Sequence, residues 1–215
     1  MKNLTKSIIL LLVIISFSSY AQTDNQKFRT GVKKGLEMIS TARSSEDFLK
    51  MSNYFERIAQ AETKEWLPPY YAAYGNLFAG LSISDKTLQD QYFDKAMVQI
   101  EQADARNAEN SEVNALKGYI QFMKMSIDPQ ARLSLMGAAA TSLGKAKALN
   151  PENPRIYLIT GQNTFYTPEA FGGGKAKAKP ILENAVAKFA IFKPASDIAP
   201  MWGAERAKFL LTQCN

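Results

Sequence analysis

The sequence predicts an all-α protein built as a row of helical hairpins, and three observations predict it. Gly75, Gly118 and Gly161 stand 43 residues apart in succession, and the same step links Ala96, Ala139 and Leu182, then Ile100, Leu143 and Val186, then Ala103, Ala146 and Phe189. A fixed period in this range marks a repeat array. Apolar residues recur at helical spacing along most of the chain beyond Phe28. No stretch shows the period-two alternation of a half-buried strand.

The chain opens MKNLTKSIILLLVIISFSSYAQ. Lys2 and Lys6 precede an unbroken apolar run from Ile8 to Ile15, and Ser19 and Ala21 form a small-residue cleavage site before Gln22. The run is too short to cross a bilayer, so residues 1–21 read as a cleavable signal peptide. The expected mature chain, 22–215, is a single helical-repeat domain, periplasmic or secreted and not membrane-spanning. No cysteine follows the run to take a lipid. The one cysteine, Cys214, excludes an intrachain disulfide, so packing must stabilise the fold.

Phe28, Val32, Leu36 and Ile39 form the buried stripe of a helix reaching about Thr41. Ser44 or Ser45 caps the next, with Glu46 and Asp47 in its first turn and Phe48, Met51, Phe55 and Ile58 inward. This pair matches the later period poorly and reads as a degenerate first unit. The first clear unit, 66–108, opens at Pro68 and Pro69, which suit a helix start. Tyr70, Tyr74, Leu77, Phe78 and Leu81 follow, and a second helix runs from about Thr87 to Arg106. The second unit, 109–151, breaks near Asp128-Pro129. The third, 152–194, opens at Pro154 and turns through TPEAFGGG into a helix from about Lys175, where Pro180 marks either a kink or the true start. Residues 197–213 read as a capping helix with Trp202, Phe209 and Leu210 inward and Glu205, Arg206 and Lys208 outward.

Tyr71-x3-Gly75, Ala96-x3-Ile100-x2-Ala103 and Ala108 resemble the pattern of the tetratricopeptide repeat family. Asn114-x3-Gly118 with Ala139, Leu143, Ala146 and Pro151 repeats it, as does Tyr157-x3-Gly161 with Leu182, Val186, Phe189 and Pro194. The family period is about 34, so about nine extra residues enter each unit, between the glycine and the following Ala or Leu. HEAT and armadillo arrays share the longer period; the Gly, Ala and Pro positions favour the tetratricopeptide-like reading. An exported chain of this kind carrying TPEAFGGGK also resembles the T component associated with TRAP-type transporters, although that component's lipidation cysteine has no counterpart here.

The composition narrows the chemistry. The chain has no histidine, which removes the commonest general base and metal ligand together. Its net charge of +6 includes Lys2 and Lys6, and the remaining basic residues are dispersed among acidic ones along the helices, which argues against a nucleic-acid footprint. Gly172-Gly173-Gly174-Lys175 fails as a P-loop, because Glu169 and Ala176 stand where Gly and Ser or Thr are needed. An anion held at that helix start, or a plain turn, remain the readings. Tyr70, Tyr71, Tyr74 and Phe78 read as core, and Glu46, Asp47, Glu152 and Glu169 as caps or surface charges. The sequence therefore predicts no enzyme, no metal and no cofactor.

The resemblance implies a concave groove lined by the first helix of each pair. Asn76, Tyr119, Phe122, Arg155 and Gln162 are the expected partner-binding residues, and a protein or peptide the expected occupant. The alternative is a small-ligand-binding accessory protein of an envelope uptake system. An elongated open groove would favour the first reading, and a deep pocket the second.

Overall fold

The computed structural model describes residues 26–214, and the proposed signal peptide lies outside them. Helix α1 covers residues 26–41, buries Val32 and packs Phe28, Leu36 and Ile39 against the core. Helix α2, Ser45–Ala61, opens on a capping box: Ser44 Oγ accepts from the Asp47 N–H, and the Asp47 carboxylate accepts from the Ser44 N–H. Helix α3, Leu67–Leu81, carries Pro68 and Pro69 in its first turn and is buried almost all round, so it lies between neighbours. Helices α4 (Lys86–Arg106), α5 (Ser111–Ile127) and α7 (Pro154–Tyr166) are capped by the side chains of Asp85, Asn110 and Asn153. Helix α6 is Ser134–Leu149. A 3-10 turn, Glu169–Phe171, precedes α8 (Lys175–Ile191), and α9 (Ala204–Thr212) follows. The described residues contain helices and no strand, as the periodicity requires.

Helices α3 and α4, α5 and α6, and α7 and α8 pack as hairpins, with α2 against the other side of α3. Positions one period apart touch. Gln99 Nε2 donates to Glu56 Oε1 at 3.0 Å, Arg155 Nη1 to Glu112 Oε1 at 2.9 Å, and Gln162 Nε2 to the Tyr119 hydroxyl at 2.8 Å, each across 43 residues. The first of these carries the period into α2, where apolar matching alone is weak.

The repeated glycines mark close helix crossings. A Cβ on Gly118 would meet Leu143 Cγ of α6 at 2.9 Å, and one on Gly161 would meet Leu182 Cδ2 of α8 at 2.7 Å. At Gly75 the close neighbour is α2, with the Phe48 carbonyl oxygen at 2.9 Å, so this glycine serves the interface with the preceding pair.

The C-terminal region departs from expectation. The helix expected over 197–213 begins only at Ala204, and Phe209 is 53% exposed while Leu210 is buried. Gly203 takes φ +115, which an L side chain rarely adopts, and this breaks the helical path. The preceding segment is held by distant partners instead: Tyr71 donates its hydroxyl to the Ile198 carbonyl, Arg155 donates to the Pro200 carbonyl, and Asp197 pairs with Arg29 and Lys33 of α1. Pro180 sits inside α8, which starts at Lys175. The Gly-rich loop is a turn. The N–H groups of Gly172, Gly173 and Gly174 donate to the carbonyls of Glu169, Pro168 and Thr164, leaving none of the three for an anion.

Candidate functional site

Helices α3, α5 and α7 present a set of side chains to one cavity of about 1050 Å³. Tyr74 and Phe78 come from α3, Tyr119, Phe122 and Met123 from α5, and Leu158, Gln162 and Tyr166 from α7. Trp202, Gly203 and Arg206 close one side, and Leu133 and Met136 border another. The turn between α5 and α6 is held by Arg132, whose guanidinium donates to both carboxylate oxygens of Asp90, which in turn holds the Asp90 carboxyl below its ordinary value. Leu133, Met136 and Phe171 are largely exposed large apolar side chains at the cavity edge. Single exposed apolar residues are ordinary; several together around one opening mark a binding surface.

The walls are built of aromatic faces. Tyr74 and Phe78 stack at 4.3 Å between centroids, Phe78 meets the edge of Tyr119 at 6.5 Å, and Trp202 lies 5.4 Å from Tyr74. The spacing i, i+4 puts Tyr74 and Phe78 on one face of α3, and their equivalents a period later in α5 are Lys117 and Gln121. Burial raises the Tyr74 and Tyr119 phenols above their ordinary pKa, so both are neutral hydroxyls at physiological pH.

Trp202 is positioned from behind. Its indole N–H donates to the Tyr70 hydroxyl at 2.9 Å, and the Arg155 guanidinium lies 5.2 Å from its ring centroid. Arg155 is fully buried, paired with Glu112, and its Nε has no hydrogen-bond partner among the described residues. The Phe192 and Phe189 rings, 4.8 and 5.9 Å away, take up part of that charge. Desolvation outweighs the Arg155 attraction and raises the Glu112 carboxyl above its ordinary value.

Of the five residues singled out by sequence, Tyr119, Phe122 and Gln162 line the cavity. Asn76 and Arg155 do not. The Asn76 amide donates to Ser52 Oγ at 2.8 Å and to the Ala72 carbonyl within the α2–α3 contact, and Arg155 acts through Trp202 as above. Sequence reasoning missed Trp202, Arg206 and the exposed edge residues. The available signal was Pro200 and Gly203 ahead of a charged helix, which argues for a break there.

The fold and site together define an all-α stack of helical hairpins with an aromatic- and methionine-lined cavity beneath its C-terminal segment. A solved structure of the same build is the HusA haemophore from Porphyromonas gingivalis, 29% identical, with a TM-score of 0.74 over 86% of this chain and 91% of that one. No family model matches the chain. No curated protein matches it either.

Proposed function

We propose that this chain is an exported carrier that takes a flat, largely apolar ligand of the haem and porphyrin class into the cavity beneath Trp202. The carrying observation is the cavity itself: about 1050 Å³, walled by Tyr74, Phe78, Tyr119 and Trp202 and edged by exposed apolar side chains. Ligand pockets of this kind are concave, mostly apolar and furnished with a few polar groups. The likeness to a haemophore over most of both chains supports the same ligand class. The N-terminal pattern of residues 1–21 supports export, and no helix among the described residues is long and apolar enough to cross a membrane.

The chain has no histidine to offer a haem iron, and Cys214 is not among the lining residues. The ring is held by stacking and apolar burial, and any side chain of the lining that met an iron would be a tyrosine or a methionine. The residues that do this are Phe78, Tyr119, Phe122 and Trp202; Gln162 supplies a polar contact. In this reading the hairpins are a lengthened tetratricopeptide-like unit whose groove is partly filled by the chain's own 192–203 segment, and a small molecule replaces the protein partner. The likeness to a haemophore and the cavity's aromatic walls favour that exchange.

The test is thermal unfolding with and without haemin or iron-free protoporphyrin. A ligand at about one hundred times its Kd adds about 2.7 kcal/mol of stability. Both compounds are expected to raise the unfolding temperature. Stabilisation by neither contradicts the reading.

A further inference from the structure

Among the described residues that line the cavity, one side chain carries a charge: Arg206. It stands at the start of α9, and no carboxylate pairs with it among the described residues, whereas its neighbour Glu205 pairs with Lys208. Arg132 holds an acidic partner and Arg106 donates to backbone carbonyls at the end of α2 and in the α2–α3 turn, whereas Arg206 stands beside an apolar chamber with neither among the described residues.

The guanidinium is also held in place. Its Nε donates to Gln162 Oε1 at 2.9 Å and its Nη2 to the Tyr166 hydroxyl at 2.9 Å. Gln162 is fixed at its other end, where its Nε2 donates to the buried Tyr119 hydroxyl. The rings of Tyr166 and Phe209 lie 6.0 and 5.5 Å from the guanidinium carbon. Two of the five N–H donors are thus spent on neutral acceptors that aim the fork, and the Nη1 donors remain for an anion. Planar forked donors match a carboxylate, and little side-chain entropy is lost when the fork is already oriented.

We infer that Arg206, oriented by Gln162 and Tyr166, is the carboxylate-recognising corner of the cavity, so that the chain selects ring ligands bearing a carboxylate over the same rings without one. This rests on the ligand class proposed above and adds the polar half of the recognition. The apolar walls supply affinity for the ring, and Arg206 supplies the contact to its carboxylate-bearing edge.

The experiment compares mesoporphyrin with its dimethyl ester, which keeps the ring and removes the charges, against the wild-type chain, Arg206→Met and Arg206→Lys. Wild type is expected to bind the diacid about tenfold more tightly than the diester, a factor in keeping with one charge-assisted contact. In Arg206→Met the two affinities should converge, diacid binding falling by much more than diester binding. Arg206→Lys should keep part of the preference, and added salt should erode it in wild type. Equal affinities in wild type, or an undiminished preference in Arg206→Met, overturns the assignment while leaving the cavity reading intact. Binding of neither compound to wild type overturns both. Arg206 is exposed, so matching circular dichroism and unfolding curves for the variants are expected, and the diester is the internal control for a misfolded cavity.

Discussion

Gln162 Nε2 donates to the hydroxyl of Tyr119 at 2.8 Å, and the two residues are one repeat period apart in the chain. The same bond joins α5 to α7 and lines the cavity, so the repeat that builds the fold also builds the site. Both side chains are buried, at 4% and 6% exposure. Removing one partner strands the other.

Gln162→Leu should therefore cost about 1–3 kcal/mol, the penalty for a buried hydroxyl left without a partner. Adding Tyr119→Phe should recover much of that loss, because replacing both partners by apolar groups is far less costly than replacing one. Urea unfolding of the two single variants and the double variant measures the coupling. Simple addition of the two single effects would deny the bond its place.

The buried Arg155–Glu112 pair yields a prediction with a pH sign. Arg155→Met should destabilise by about 3–5 kcal/mol at neutral pH, because it leaves the Glu112 carboxylate buried without its cation. Glu112 already has a raised carboxyl in the fold, so it binds protons more tightly folded than unfolded. Its favourable contribution is present below the ordinary carboxylate value and is lost as pH rises through the folded value. Removing Arg155 takes away an influence that lowers that value, so the stability gap between wild type and variant should widen as pH rises from about 4 toward neutrality. Denaturant curves across that range check it, and a gap that narrows contradicts it.

Glycines on α6 and α7 provide a matched contrast. Gly161→Ala would press a methyl against Leu182 at 2.7 Å, and overpacking of this kind costs about 1–3 kcal/mol, partly offset by alanine's helix propensity. Gly144→Ala meets nothing within 4 Å and should stabilise by about 0.5–1 kcal/mol. Opposite shifts in the urea midpoint are expected.

Much of this architecture is legible in the sequence because its signals are local or periodic. Ser44 with Asp47, and Pro154 behind Asn153, announce helix starts through their immediate neighbours. Gly118 and Gly161 announce crossings because each has a counterpart one period away. The segment from Phe192 to Gly203 was not legible: Trp202 and Leu210 fit a helical stripe, and the partners that pull the chain out of that path, Tyr71 and Arg155, lie 127 and 45 residues away in their bonds to Ile198 and Pro200. The site was half legible for the same reason. Tyr119, Phe122 and Gln162 follow from the groove face of repeated helices, while Trp202 and Arg206 reach the cavity only because that segment folds back. Asn76 is the period equivalent of Tyr119 and Gln162, and Arg155 that of Glu112, but the bonding groups of Asn76 and Arg155 are directed at neighbouring elements.

Whether the chamber beneath Trp202 takes up a porphyrin-class ring is decided by an equilibrium titration with iron-free protoporphyrin. Tryptophan emission and the porphyrin Soret band are followed together, in wild type and in a Ser82→Phe, Ser126→Phe variant that narrows the chamber from two exposed lining positions. Saturable one-to-one binding with quenched tryptophan emission is expected in wild type, and affinity lowered about tenfold or more in the narrowed variant, a change of about 1.4 kcal/mol. An absence of saturable binding, or equal binding by the narrowed variant, would contradict it.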